Sequence, residues 1–270
     1  MSKRVLLLAV CVAVALVVGA AAFQRAWGGG RRDDVGDTEA SFAAAAAELP
    51  GASRPAFTVG KPALLRKDEA RSRFAMVVRP VEAHAAPRSD APVVAELTRD
   101  TTDGTNNIVL VIGEARRGNV FWVHVRLPVL PNGRTGWVPR GALGGYRFVH
   151  THLVIDRSQL TAVLLYDAHP VFRAAVGIGT AAAPTPPGEF YVRDKLTDFT
   201  DPFYGPVAFG TSARSAVLTD WPDGGFVGIH GTNEPGLIPG RISHGCIRLR
   251  NRDILRLSRL MPVGTPLTIR

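Results

Sequence analysis

Two histidines and a cysteine lie close together in the stretch from Ile229 to Arg248, which contains His230, His244 and Cys246. A free thiol has a pKa of about 8.5, so only a small fraction is thiolate at neutral pH. A histidine within hydrogen-bond reach can take the thiol proton, provided that a third group orients the imidazole. These residue types therefore indicate nucleophilic catalysis by a cysteine.

The spacing favours His230 over His244 as the base. His244 is two residues from Cys246, and in an extended segment this spacing gives poor alignment for proton transfer. His230 ends a predicted strand and can approach from the opposite side, where Gly231 leaves room. Gly245 permits a sharp turn that would aim the backbone N–H groups around Cys246 at one oxygen, as in an oxyanion hole.

Two other interpretations of the same residues stay open. An unpaired cysteine is often a small buried core residue. His230, His244 and Cys246 could also bind zinc, although no fourth ligand is evident because Glu234 lies in a predicted turn. With only Cys11 as the other cysteine, a disulfide framework and a thiolate zinc cluster are excluded. We favour the reactive thiol over both alternatives and accordingly predict no metal and no cofactor.

Composition and charge restrict the class of protein. The 270 residues are 46% hydrophobic and 20% charged, so the chain can form a core and wholesale disorder is excluded. The formal net charge of +9 suits an anionic partner such as a nucleic acid, a membrane or a cell-wall polymer. The basic residues are nearly all arginine, and no basic run is interleaved with aromatics, so we expect no nucleic-acid partner.

The N-terminus predicts export. Lys3 and Arg4 precede an uncharged apolar run from Val5 to Phe23. This pattern is typical of a cleaved signal peptide, and the run is also close to the length of about 20 residues that spans a bilayer. Residues 1–23 are therefore a signal peptide or a membrane anchor, and both interpretations place the rest in the cell envelope. Cys246 then has no intramolecular partner, which favours a reactive thiol.

The remainder divides into three predicted segments. Residues 24–73 are low in aromatics and predict a partly disordered linker. Residues 74–146 carry short strands, with turns predicted at Arg117–Asn119 and Pro131–Gly133. The closing Gly136–Pro139 resembles a bacterial SH3-like β-barrel domain, with another small β-sandwich as the alternative. Trp122 and Trp137 are expected in its core.

Residues 147–270 predict a second, mainly β unit with one short helix after Cys246. An antiparallel meander opens it, and Asn251 is expected to cap the helix, which Pro262 ends. The predicted strands are Thr151–Ile155, Leu160–Tyr166, Val171–Val176, Glu189–Val192, Phe226–Ile229 and Leu267–Ile269. Tyr204 and Trp221 precede His230 and would cover its site or fill a core.

The sequence contains the pair His230-Gly231 and, after a gap, the run Ser243-His244-Gly245-Cys246-Ile247-Arg248. Together they resemble the signature of the L,D-transpeptidase (YkuD-like) catalytic domain family. Gly177–Thr180 and Pro184–Phe190 resemble the stretch that precedes the active site in that family. The resemblance covers residues 147–270 and not the linker.

The resemblance implies a mainly β catalytic fold and acyl transfer between peptidoglycan stem peptides, from a donor tetrapeptide to an acceptor amine. It implies these roles: Cys246 as nucleophile, His230 as base, Gly231 as the carbonyl that orients His230, Ser243, His244 and Gly245 as shapers of the site and oxyanion hole, and Arg248 as a contact for a substrate carboxylate. Hydrolysis of the same bonds, as a carboxypeptidase or endopeptidase, is one alternative. A non-catalytic cell-wall-binding protein is another.

Overall fold

The computed structural model describes residues 71–197, 201–218 and 225–270. The predicted signal or anchor segment, nearly all of the predicted linker and Trp221 lie outside these ranges. Within them, no helix has both the length and the apolar character needed to cross a bilayer. The described part is mainly β with one α-helix, which confirms the predicted fold class.

The first seven strands form one sheet in which every neighbouring pair is antiparallel. The hydrogen-bonded order is β3-β2-β6-β5-β4-β1-β7. The strands are β1 (Ser72–Met76), β2 (Val81–His84), β3 (Val93–Leu97), β4 (Ile108–Arg117), β5 (Val120–Arg126), β6 (Thr135–Pro139) and β7 (Arg147–Val149). The SH3-like assignment stays a prediction, as does the boundary at residue 146; β7 pairs with β1 of this sheet.

Both predicted turns of this sheet are present, and each contains a glycine in the left-handed region, Gly118 at φ +57° and Gly133 at φ +88°. Glycine adopts these positive φ values at little cost because it has no β-carbon. Trp122 is buried as expected. Trp137 is only half-buried and instead stacks on the ring of His124, with centroids 4.4 Å apart.

The remaining strands form a ten-stranded sheet of order β10-β9-β8-β17-β12-β13-β14-β16-β11-β15. They are β8 (Thr151–Asp156), β9 (Thr161–Tyr166), β10 (His169–Ala175), β11 (Gly177–Gly179), β12 (Gly188–Leu196), β13 (Ala208–Arg214), β14 (Phe226–His230), β15 (Gly240–Ser243), β16 (Ile247–Arg248) and β17 (Pro266–Ile269). The predicted meander is confirmed, because β8, β9 and β10 pair antiparallel in sequence order.

Helix α1 (Asn251–Leu260) packs on this sheet through Ile254 and Leu257, which are fully buried. The predicted cap is wrong. Asn251 is the first helical residue, and its side-chain oxygen accepts the Thr232 N–H at 2.9 Å rather than capping the helix. A tertiary contact to the loop after β14 thus replaces the local one.

The two sheets are joined by a buried contact. The Tyr191 hydroxyl of β12 donates to the Ile108 carbonyl of β4 at 3.0 Å. The Asn132 side chain exchanges two hydrogen bonds with the Arg214 backbone, at 2.7 and 2.9 Å. An apolar cluster surrounds Tyr191; it comprises Phe74, Ile108, Leu110 and Val149. The first sheet therefore has a defined place beside the second.

Candidate active site

Two adjacent parallel strands position the predicted residues. In the pairing of β14 with β16, Ile229 lies opposite Ile247 and His230 opposite Arg248. Both isoleucines are fully buried in the core. Because successive side chains of a strand point to opposite faces, His230 and Arg248 point away from the core. Both line an open cavity of about 190 Å³.

Cys246 comes just before β16 and lies beside Gly228 of β14. The Gly228 N–H donates to the Cys246 Sγ at 3.4 Å. A β-carbon built on Gly228 would stand 3.7 Å from His230 Cδ2 and 3.8 Å from Cys246 Sγ. The missing side chain therefore leaves one small space that the imidazole and the thiol share. Within the described ranges Cys246 is a thiol and not half of a disulfide.

His230 is held in one tautomer. Its Nδ1 lies 2.7 Å from the Gly231 carbonyl oxygen, which can only accept, so Nδ1 carries the hydrogen and Nε2 keeps its lone pair. Nε2 has no hydrogen-bond partner among the described residues. Burial lowers the pKa of His230 to about 4, and Arg248 adds to this lowering while the Gly231 hydrogen bond opposes it. The imidazole is therefore neutral at pH 7.

Gly231 sits where backbone segments touch. An added β-carbon would overlap Asn251 Oδ1 and would lie 3.0 Å from Gly205 Cα. Gly205 itself has φ +64°. The Asn251 side chain thus fixes the turn that carries the Gly231 carbonyl, a role that the sequence did not reveal.

The loop from Ser243 to Cys246 is closed by its own hydrogen bonds. The Ser243 hydroxyl donates to the Cys246 carbonyl at 2.6 Å and accepts the Gly245 N–H at 3.1 Å. Gly245 has φ +123°, which requires glycine. The Gly245 N–H is thus engaged inside the loop, so its amide does not face the cavity as the sequence suggested.

A buried threonine supports this loop from below. The Thr185 hydroxyl donates to the Gly245 carbonyl at 2.7 Å and accepts the Gly179 N–H at 2.9 Å. Its side chain is 1% exposed. Sequence reasoning did not single out Thr185, although it lies within the Pro184–Phe190 stretch that carried part of the family resemblance.

Arg248 places a positive charge at the cavity. It is 5% exposed, its Nη1 lies 3.5 Å from Glu234 Oε2, and its guanidinium lies 4.3 Å above the Phe203 ring. Its Nε has no partner among the described residues. Phe203 and Tyr204 also flank His230, with ring centroids 6.0 and 5.1 Å away.

The cavity brings together most of the predicted site residues and adds two carboxylates. Those predicted residues that line it are His230, Ser243, His244, Cys246 and Arg248, with Tyr204 beside them. Asp103 and Asp194 also line it and were not foreseen. In the described ranges no group of three or more histidine, cysteine or acidic side chains is arranged to hold a metal ion.

Residues 150–269 match the family model of the L,D-transpeptidase catalytic domain, YkuD. This segment is therefore similar to that catalytic domain family. YkuD of Bacillus subtilis is 30% identical over 118 residues, which cover 44% of this chain and 65% of the relative. YkuD of Bacillus licheniformis is 34% identical over 94 residues, or 35% of this chain and 50% of the relative. The chain thus spans half to nearly two thirds of these two curated relatives.

Solved L,D-transpeptidases also resemble part of the chain. An Enterococcus faecium L,D-transpeptidase is 23% identical, with 44% of this chain and 49% of that chain covered and a TM-score of 0.36. L,D-transpeptidase 3 of Mycobacterium tuberculosis is 15% identical, with 56% and 91% covered and a TM-score of 0.38.

Proposed function

We propose that this chain is an L,D-transpeptidase that cross-links peptidoglycan stem peptides through a thioester on Cys246. The observation that carries the proposal is the state of His230. Its Nδ1 is fixed on the Gly231 carbonyl, its Nε2 retains the lone pair, and its ring shares the space over Gly228 with the Cys246 thiol. A neutral imidazole beside a thiol is the base and nucleophile that acyl transfer needs. The match of residues 150–269 to the L,D-transpeptidase catalytic domain model supports the same reaction.

In the first half-reaction, Cys246 Sγ attacks the carbonyl between the third residue of a donor stem and its terminal D-alanine. His230 Nε2 takes the thiol proton. Since burial disfavours the imidazolium, the proton moves together with the attack and not before it. The tetrahedral intermediate collapses as the imidazolium gives its proton to the departing D-alanine amine, which leaves a thioester and a neutral His230.

In the second half-reaction, the side-chain amine of a diamino acid on another stem attacks the thioester. His230 accepts a proton from that amine and returns one to the Cys246 sulfur as it leaves. The product is an amide between two third-position residues, and the thiol and the neutral imidazole are restored. Water in place of the amine would give hydrolysis and a tripeptide.

The loop from Ser243 to Cys246 would shape the site for the tetrahedral oxyanion. Backbone donors aimed at such an oxygen are each worth about 3–4 kcal/mol in the transition state. Ser243 and Thr185 hold this loop through the hydrogen bonds to the Cys246 and Gly245 carbonyls. His244 is exposed at the cavity, and Arg248 would receive a carboxylate of the stem.

We place this reaction outside the cytoplasm, in the cell envelope, because the substrate is the cell wall. Residues 1–23 would serve as the signal peptide or the membrane anchor, and the first sheet would act as the SH3-like module. The net charge of +9 suits an anionic wall.

The proposal is tested by mass spectrometry of the full chain incubated with a disaccharide-tetrapeptide, beside Cys246→Ala and His230→Gln. We expect a thioester adduct, release of D-alanine and a cross-linked dimer in the unaltered chain, with none of these in Cys246→Ala. Release of D-alanine with only a tripeptide would make the chain a carboxypeptidase. No adduct and no release would overturn the catalytic proposal and favour a wall-binding role.

A second measurement isolates the thiol and imidazole pair. Alkylation of Cys246 by iodoacetamide near pH 7 should be at least tenfold slower in His230→Gln than in the unaltered chain. His169→Gln removes an exposed histidine outside the cavity and should leave the rate unchanged. Equal rates in all three proteins would contradict a base role for His230.

A further inference from the structure

The loop between β3 and β4 carries one carboxylate to the cavity of Cys246. This residue, Asp103, is exposed, lines the cavity and belongs to the first sheet rather than to the family segment at 150–269. Among the described residues that line the cavity, Asp103 is the one that comes from before residue 150. The first sheet thus contributes a charge to the proposed active site.

The turn that presents Asp103 is well defined. The Thr101 N–H donates to the Thr105 carbonyl at 2.8 Å, and the Gly104 N–H donates to the Thr101 carbonyl at 3.1 Å. The hydroxyls of Thr101 and Thr105 lie 2.8 Å apart. Gly104 has φ +73°, which allows the tight reversal. Asp103 is therefore held at the tip of a hydrogen-bonded turn.

The turn is also held in place relative to the cavity. The hydroxyl of Tyr191, on β12 of the second sheet, donates to the Ile108 carbonyl. Ile108 begins β4, the strand that follows the turn. The hydrogen bonds between Asn132 and Arg214 fix the first sheet at the end of β13, and Ser215, the next residue, lines the cavity. These contacts hold the first sheet, and with it the turn of Asp103, against the second sheet.

The charges around the cavity suit a substrate with both signs. Asp194 is 3% exposed and its Oδ1 accepts the Gly210 N–H at 2.8 Å, which leaves Asp103 as the more accessible carboxylate. Arg248 supplies a guanidinium to the same cavity. A diamino acid in a stem peptide carries a primary ammonium in addition to its carboxyl groups, so its charges are opposite in sign to those of Asp103 and Arg248, which line the same cavity.

We propose that Asp103 is a specificity-determining residue that binds a primary ammonium group of a stem peptide at the cavity. The inference rests on the proposed function. The ammonium could belong to the diamino acid of the donor stem or to that of the acceptor stem, and the chemistry of recognition is the same for both. An exposed carboxylate and ammonium pair is screened by salt, so the contribution should fall as ionic strength rises.

The test compares Asp103→Asn with the unaltered chain on two donors. One donor is the disaccharide-tetrapeptide, and the other is the same molecule with its side-chain amine acetylated, which removes the positive charge. Single-turnover thioester formation, followed by mass spectrometry, needs no acceptor. Asp100→Asn is the matched control, because Asp100 lies in the same loop, is exposed and does not line the cavity. Thermal unfolding checks that both variants fold.

We expect Asp103→Asn to raise the donor concentration at half-maximal rate about fivefold on the charged donor at low salt. The acetylated donor should show no difference between the two proteins. A second outcome also supports the proposal. If Asp103→Asn and the unaltered chain have equal donor kinetics, but Asp103→Asn needs a higher acceptor concentration for half-maximal cross-linking, the ammonium belongs to the acceptor. Equal behaviour in every assay, or equal losses on charged and acetylated donors, would overturn it. Failure of the proposed function is separate, since the unaltered chain would then form no thioester.

Discussion

The backbone N–H of Gly228 donates a hydrogen bond to the sulfur of Cys246 at 3.4 Å. A donor aimed at sulfur favours its anionic form over the neutral thiol. The same residue has no side chain where the His230 ring and the Cys246 sulfur come together. One glycine on β14 thus supplies both a donor to the proposed nucleophile and the room for its proposed base.

Replacement of Gly228 by alanine should slow catalysis while leaving the fold intact. The new methyl would make ordinary contacts, at 3.7 Å from His230 Cδ2 and 3.8 Å from Cys246 Sγ, so the free energy of unfolding should change by less than about 1 kcal/mol. It would occupy the space between base and nucleophile, and we expect acylation to fall about tenfold. Gly236→Ala, where nothing lies within 4 Å, is the control. An unchanged rate in Gly228→Ala would show that the shared space is unimportant.

Gly231→Ala should lower stability as well as activity. Its β-carbon would overlap Asn251 Oδ1 and press on Gly205 Cα at 3.0 Å, and overpacking of this kind costs about 1–3 kcal/mol. The displaced Gly231 carbonyl would also release His230 Nδ1. Urea denaturation and the alkylation rate of Cys246 measure the two effects. Gly145→Ala, again with nothing within 4 Å, should match the unaltered chain in both, and a stable, fully reactive Gly231→Ala would refute the packing argument.

Thr185→Val tests whether the Thr185 hydroxyl holds the loop from Ser243 to Cys246 in place. The change keeps the shape of the side chain but removes the hydroxyl that bridges Gly179 and Gly245. Two buried backbone groups lose their partner, which costs about 1–3 kcal/mol, and the loop should relax enough to lower kcat. Thr135→Val loses the hydroxyl that lies 2.9 Å from His124 Nε2, and neither of these residues lines the cavity. It should reduce stability without an effect on kcat; a normal kcat in Thr185→Val would count against its positioning role.

His230 should make the protein less stable in acid. Its pKa is lowered from 6.5 to about 4 in the folded chain, so the unfolded chain binds the proton first as pH falls. Stability from this residue is therefore lost between about pH 6.5 and pH 4, by about 3 kcal/mol in total, and stays level below. Urea midpoints measured across this range should fall less steeply for His230→Gln than for the unaltered chain, while His169→Gln should keep the original slope. Identical slopes for all three would be inconsistent with a buried neutral His230.

The same pKa gives an expected activity profile. Because His230, the proposed base, can accept a proton only when neutral, acylation should stay level as pH falls from 7 to 5 and drop near pH 4. Single-turnover thioester formation at each pH measures it. A drop already near pH 6.5 would show that the imidazole is better solvated than its burial implies.

The sequence by itself predicted the proposed chemistry and determined much of the local structure. His230, Cys246 and their glycines stand out because their types and order are rare, and the meander of β8 to β10 follows from strand and turn patterns that are local in the chain. The turns at Gly118 and Gly133 follow for the same reason, since only glycine adopts those φ values at little cost.

Only the tertiary structure decided which distant groups meet. Asn251 does not cap the helix as expected, because its side-chain oxygen accepts a hydrogen bond from the Thr232 N–H, which β14 brings close. Thr185 reaches Gly245 across 60 residues, and Asp103 reaches the cavity from another sheet. Such contacts depend on the parallel pairing of β14 with β16 and on the packing around Tyr191. Hydrophobic patterns within one segment cannot predict these contacts, because each contact joins residues that are far apart in the sequence.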